Sequence, residues 1–251
     1  MRERVPIDLH VHSCLSPCAE EEMRPPAVLL TAERRGIRVL GMVDHSTAGN
    51  APAFWEAAAA FAVRVLVGME VESAEGVHIL ALFDSPDAAA DMAAEVAEHL
   101  PPLLNRPQLL GRQLRVDAWG TVLGEEPRLL ICAADLSLDR LVELTHARGG
   151  LSIAAHVDRA AWGLLPTLGF VPPDLGVDLL EVSPALTPAA ARRRWPELAA
   201  WPLVQSSDAH CLEDVGRAPT LVSRELAESD LPLPQWAARL AAELRAGRGE
   251  V

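Results

Sequence analysis

The chain contains no lysine and no tyrosine, so all 22 of its basic residues are arginine. A lysine Schiff base, a P-loop lysine and a tyrosine nucleophile are therefore excluded. Any side-chain cation that clamps a phosphate must be arginine, whose planar fork suits bidentate contacts. The four cysteines, Cys14, Cys18, Cys132 and Cys211, are too few for a disulfide scaffold and suit a reducing compartment. No apolar run is long enough to cross a membrane, and the N-terminus lacks a charged-then-apolar leader. A cytoplasmic protein with no membrane partner is expected. There is no G-x-S-x-G elbow and no P-loop, which leaves a serine hydrolase or an NTPase unsupported. Positive charge is also scarce. A net charge of −13 argues against a broad nucleic-acid-binding face.

What is present is an α/β pattern. Half of the 251 residues are hydrophobic, enough for one large core. Strands are expected at Pro6–His10, Arg38–Asp44, Arg64–Val71, Gly76–Phe83, Leu151–Ala155, Val177–Val182 and Leu203–Ser206. Between them lie helices at Pro25–Arg35, Pro52–Ala62, Asp87–Leu100 after a Ser85 cap, and one capped by Ser137 that ends at Gly149-Gly150. A last helix spans Pro234–Leu244. The stretch 101–128 breaks the rhythm and reads as a small hairpin insertion around Asp117-Ala118-Trp119-Gly120. With no repeat or linker, one domain over 1–251 is expected, built as a barrel or a doubly wound sheet.

Six of the eight histidines fall at or near the ends of apolar runs: His10, His12, His45, His78, His156 and His210. Acids accompany them, namely Asp44, Glu70, Asp208 and the Glu20-Glu21-Glu22 run. His10 and His12 lie two apart on a strand and so share a face. Strand ends of an α/β barrel meet at one rim, where imidazoles and carboxylates would form a metal centre. Plainer readings exist for each member. His78 alone suits a core histidine, Asp44 a helix cap or an orienter of His45, and Asp208 a turn. Cys14, Cys18 and Cys211 sit close in sequence to these residues and as thiolates would suit Zn or Fe, but the preferred reading is small buried hydrophobes. His99 and His146, near helix C-termini, read as solvent-facing partners of the helix dipole.

Taken together and in order, His10-x-His12, Asp44-His45, Glu70 with His78, His156 after a Gly-Gly helix end and Asp208-x-His210 resemble the PHP (polymerase and histidinol phosphatase) family over residues 7 to 217. The resemblance implies a distorted (β/α)7 TIM-like barrel holding two to three divalent Zn, Mn or Fe ions. It implies His10, His12, Glu70 and Asp208 at one ion, with Glu70 bridging to a second held by His78 and His156. A third would take His45, His210 and an acid. Glu20 falls at the family's acid position, with Glu21 and Glu22 as alternatives. The implied activity is metal-dependent hydrolysis of a small phosphate ester or nucleotide. Asp208 and Asp44 are the catalytic candidates, and Arg159 and Arg217 the candidate phosphate clamps. The alternatives are an amidohydrolase-type C–N hydrolase and a non-catalytic metal-binding protein.

Overall fold

Short β-branched and leucine-rich runs become the strands of an eight-stranded sheet and a separate two-stranded hairpin in the computed structural model, which describes residues 3–246. The strands are β1 (Arg4–Val11), β2 (Val39–His45), β3 (Arg64–Glu72), β4 (His78–Phe83), β5 (Leu114–Val116), β6 (Val122–Glu125), β7 (Leu151–Ala154), β8 (Leu179–Val182), β9 (Leu203–Gln205) and β10 (Thr220–Ser223). The helices are α1 (Pro25–Arg34), α2 (Ala51–Ala58), α3 (Pro86–His99), α4 (Pro107–Leu110), α5 (Leu138–Ala147), α6 (Leu164–Leu168), α7 (Pro188–Arg194), α8 (Arg224–Ala227) and α9 (Leu233–Ala246). Ser85 and Ser137 cap α3 and α5 as expected, accepting from the backbone N–H of Ala88 and Arg140. The short helices α4, α6, α7 and α8 and strand β10 were not expected. Each is too brief to show a period in the sequence.

Eight strands run in the order β10-β1-β2-β3-β4-β7-β8-β9 and nearly close into a distorted TIM-like barrel. The gap between β9 and β1 is spanned in two ways. Low on β1, β10 pairs antiparallel with Arg4–Ile7. Higher up, the His12 N–H donates to the Ala209 carbonyl at 3.0 Å, just beyond β9. The expected βα alternation fails at one place. A hairpin joins β3 to β4, so β4 runs antiparallel to both β3 and β7. His78 therefore begins its strand, opposite Glu72, and still reaches the rim where the parallel strands end.

The two faces of the sheet form two cores. Alternate residues such as Ile7, Val39, Leu66, Leu80, Ile153, Leu179 and Val204 fill the barrel interior, where they meet Trp236 and Leu240 of α9. The other face carries Leu40, Val67, Ile79, Ala154 and Leu180 against the surrounding helices. Inside, Gly68 lets β3 and β4 approach closely, since a Cβ there would run into the Ala81 carbonyl. The hairpin of β5 and β6 is present. Asn50 ties it to the loop after β2, donating to the Leu114 carbonyl and accepting from the Val116 N–H, both at 3.0 Å. No helix among the described residues is long and apolar enough to cross a membrane.

Candidate metal centre

A bulge in β1 aims the first two histidines. Asp8 pairs with Leu40 and Val11 with Met42, so three steps on β1 oppose two on β2. The extra residue shifts the side-chain parity. Ile7 and Leu9 point into the barrel, and beyond the bulge His10 and His12 point inward too, while Val11 joins the outer core. Asp8 secures the neighbouring loop. It accepts from the Ser207 N–H at 2.9 Å, the Ser207 Oγ at 2.6 Å and the Gly216 N–H at 2.7 Å. That anchors the segment carrying Asp208 and His210.

Glu70 is the hub. Its buried carboxylate lies 2.7 Å from His78 Nδ1, 3.0 Å from His156 Nε2 and 3.2 Å from His45 Nδ1. Nε2 of His12 and of His10 follow at 3.4 and 3.5 Å. Asp208 Oδ1 stands 3.3 Å from His10 Nε2 and 3.4 Å from His12 Nε2. Within the cluster, three groups of described residues have donor atoms mutually within 4.8 Å: His10, His12 and Asp208; Glu70, His78 and His156; and His12, His45 and His210.

Other side chains hold the rings in place. Glu181, wholly buried on β8, accepts from His10 Nδ1 at 3.1 Å and from the His156 N–H at 3.2 Å. The Ser16 hydroxyl donates to Asp44 at 2.7 Å and faces His12 Nδ1 at 2.9 Å. His210 Nδ1 meets the Asp208 carbonyl at 2.9 Å. In all three histidines the Nδ1 is engaged, which leaves Nε2 for an ion. His156 Nδ1 is buried with no partner. Nε2 of His10 and of His12 face each other at 3.1 Å. This donor set fits divalent transition ions.

The charges follow from burial and crowding. Burial acts to raise the Glu70 pKa, but the imidazoles of His78, His10 and His156 together outweigh it and hold the group well below the usual carboxylate range. Asp208 is likewise held low, against burial, by His10 and His12. Burial brings His45 down to about 4 despite Glu70. For His10 burial is outweighed by Glu181, Asp208 and Glu70, and its pKa is raised. Backbone strain gathers here as well. The non-glycine residues with positive φ among those described are Ser46 (50°), His156 (28°), Trp162 (60°) and Asp208 (50°). Three of them line a cleft of about 730 Å³ over the cluster, and His156 touches Glu70 within it.

The structure brings eight of the nine expected ligands together. Glu20 is the exception: it is exposed and groups with Cys211 and Glu213. Its N–H is tied to the His210 carbonyl at 2.8 Å. The turn from Ser13 to Ala19 instead turns Cys18 toward the cluster, with Sγ 3.3 Å from His45 Nε2. Glu21 pairs with Arg112, and Glu22 is exposed, so neither replaces it. Asp44 does not line the cleft. Its oxygens accept from the Ser13 N–H and from the Ser13 and Ser16 hydroxyls. Arg159 and Arg217 do line it, Arg159 bonded to Asp208 Oδ2 at 2.7 Å and Arg217 to Asp214 at 2.7 Å. Cys18 departs from its preferred reading as a small buried hydrophobe, being exposed beside His45, and Glu181 is not among the expected residues. Glu181 carried a signal, since it stands in Leu179-Leu180-Glu181-Val182 at the parity of the inward Leu179.

No curated protein matches the chain by sequence. Solved structures share its fold. The lesion-specific endonuclease Q from Pyrococcus furiosus superposes with a TM-score of 0.62 at 18% identity, over 87% of this chain and 52% of its own. The chain thus spans about half the length of that endonuclease. A protein from Bifidobacterium adolescentis described as a metal-dependent phosphoesterase gives 0.57 at 17% identity, over 94% and 95% of the two chains. An amidohydrolase from Chromobacterium violaceum, solved with sulfate and no metal, gives 0.59 at 22% identity over 94% and 96%. The PHP domain family model matches residues 8–165, well over half of the sequence. With that match, the barrel and the histidine cluster on its rim, the chain belongs to the PHP domain family.

Proposed function

We propose that this chain is a metal-dependent phosphoesterase acting on a small phosphate ester or nucleotide. The observation that carries the reading is Glu70, one buried carboxylate facing five imidazoles at 2.7 to 3.5 Å, beneath a cleft that also holds Arg159 and Arg217. His10, His12, Glu70 and Asp208 would hold one ion, Glu70, His78 and His156 a second, and His45, His210 and Cys18 a third. Such ions lower the pKa of water and offset charge on phosphoryl oxygens. The protein's own groups do the rest. Arg159 and Arg217 bind the phosphate oxygens through charge-assisted hydrogen bonds. Asp208 lines the cleft as a carboxylate and orients Arg159 toward the phosphate. Asp44 orients His12 through Ser16. The acidic surface and the cleft volume favour a small anionic ester drawn to bound cations over a long polyanion.

The test is turnover of phosphate esters by metal-loaded protein, with Arg159→Ala and Arg217→Ala alongside. Each variant should lose about tenfold or more in kcat/KM, matching one lost charged hydrogen bond of ~1.5–3 kcal/mol, at constant metal content. Unchanged kinetics in both would leave phosphate binding to metals and backbone. Amide turnover without phosphoester turnover would move the assignment to a C–N hydrolase. Inactivity on both substrate classes would leave a non-catalytic metal binder.

A further inference from the structure

Trp162 offers no ligand atom to the cluster, yet the chain distorts its backbone to place it there. A bulky residue at φ 60° is uncommon. The turn that produces it is tight: the Arg159 N–H donates to the His156 carbonyl at 2.9 Å, and a Cβ at Gly163 would run into the Arg159 carbonyl. The far end of the turn is fastened to the metal cluster, because the His78 N–H donates to the Trp162 carbonyl at 3.1 Å. The indole lies nearly parallel to the His78 ring, 17° between planes and 5.3 Å between centroids. It still leaves 41% of its surface open in the cleft. The Arg159 guanidinium sits 5.6 Å from the indole centre, with Nη1 on Asp208. Leu130, Ile131, Pro184 and Ala185 add apolar lining to the same cleft.

We propose that Trp162 and Arg159 form a subsite for a planar aromatic ring joined to the phosphate, so that the preferred substrates are ring-bearing phosphate esters. The arginine takes the phosphate and the indole takes the ring. A short polyol phosphate would leave the indole and the apolar lining uncovered, and burying an exposed tryptophan against another ring is favourable in itself. The proposal rests on the phosphoesterase reading of the cleft and narrows its substrate class.

The experiment separates ring chemistry from bulk and binding from turnover. Metal-loaded protein is titrated by calorimetry with benzylphosphonate and with cyclohexylmethylphosphonate, two non-hydrolysable ligands of like size and anionic group. The wild type should bind the benzyl compound roughly fivefold or more tightly. Trp162→Leu, which keeps apolar bulk beside His78, should bring the ratio close to one, and Trp162→Phe should keep most of it, with metal content measured in each. A wild-type ratio below twofold, or a ratio retained in Trp162→Leu, overturns the subsite. Turnover of benzyl phosphate by the wild type is followed separately. A ring preference without turnover keeps the subsite and sinks the phosphoesterase reading, while turnover without ring preference does the reverse.

Discussion

The thiol of Cys18 opens to the cleft 3.3 Å from His45 Nε2, while every acid of the Glu20-Glu21-Glu22 run points elsewhere. A thiolate is a softer donor than a carboxylate and favours zinc or iron over manganese. Burial pushes this thiol up to about 12, so an ion must displace its proton, and affinity at this position should rise with pH. Cobalt-loaded protein should show a sulfur-to-metal charge-transfer band in the near ultraviolet. Cys18→Ser should abolish the band and reduce metal content, whereas Glu20→Gln should retain both. A wild type without the band, or a Cys18→Ser variant that keeps it, would return the third position to other ligands. At the same scale, Glu181 shows how a residue outside the cleft sets the chemistry within it: by holding His10 Nδ1 it leaves the other nitrogen for the cluster.

Among the elements, β1 and α5 are the instructive ones. In β1 a single extra residue between Asp8 and Val11 sends both His10 and Leu9 inward, which strict alternation forbids. In α5, His146 does more than meet the helix dipole. Its Nε2 lies 2.9 Å from Asp178, which also accepts from the Ser152 hydroxyl at 3.0 Å, and so the helix is joined to β7 and β8. The Asp178 bond raises the His146 pKa above 6.5, against burial. Asp178 is held below 3.8, against burial, by His146 and Ser152. The histidine's contribution to stability is thus complete below pH 6.5 and is lost as pH rises through its folded value. That of the aspartate is present above 3.8 and is lost as pH falls through its folded value. The pair should stabilise most between these limits. His146→Gln should lower Tm most near pH 5.5 and progressively less toward pH 9, by no more than ~2–4 °C, because both groups are partly exposed. A Tm difference independent of pH would show that the bond carries no charge.

For the whole molecule, the rim of the barrel concentrates buried imidazoles and carboxylates that an apolar interior cannot solvate. Ions that bind only the folded chain must stabilise it by mass action. At free metal near a thousandfold over Kd the gain is about 4 kcal/mol, which for a chain of this size corresponds to roughly 8–16 °C in Tm. Dialysis against a strong chelator should lower Tm by that order, and zinc, manganese or iron should restore it, as read by calorimetry. Equal Tm for metal-loaded and stripped protein, with stripping verified by elemental analysis, would show that the cluster does not bind ions tightly.

Six histidines and their acids on apolar runs made the candidate metal centre legible from the chain alone, because a strand rim is where such runs end. The seven strands, the hairpin and both serine caps could be read for the same reason, all being local patterns of period and spacing, while the family came from the resemblance of the ordered motifs. What the chain alone left open depends on distant contacts. Strand β10 is only four residues long and is defined by its pairing with β1. The reversal of β4, the phase of β1 and the inward face of Glu181 follow from closing the barrel. That Cys18 and not Glu20 faces His45 follows from the turn between Ser13 and Ala19 and from the bond of the Glu20 N–H to the His210 carbonyl. Periodicity states which residues share a face, but only closure of the sheet decides which face is inside.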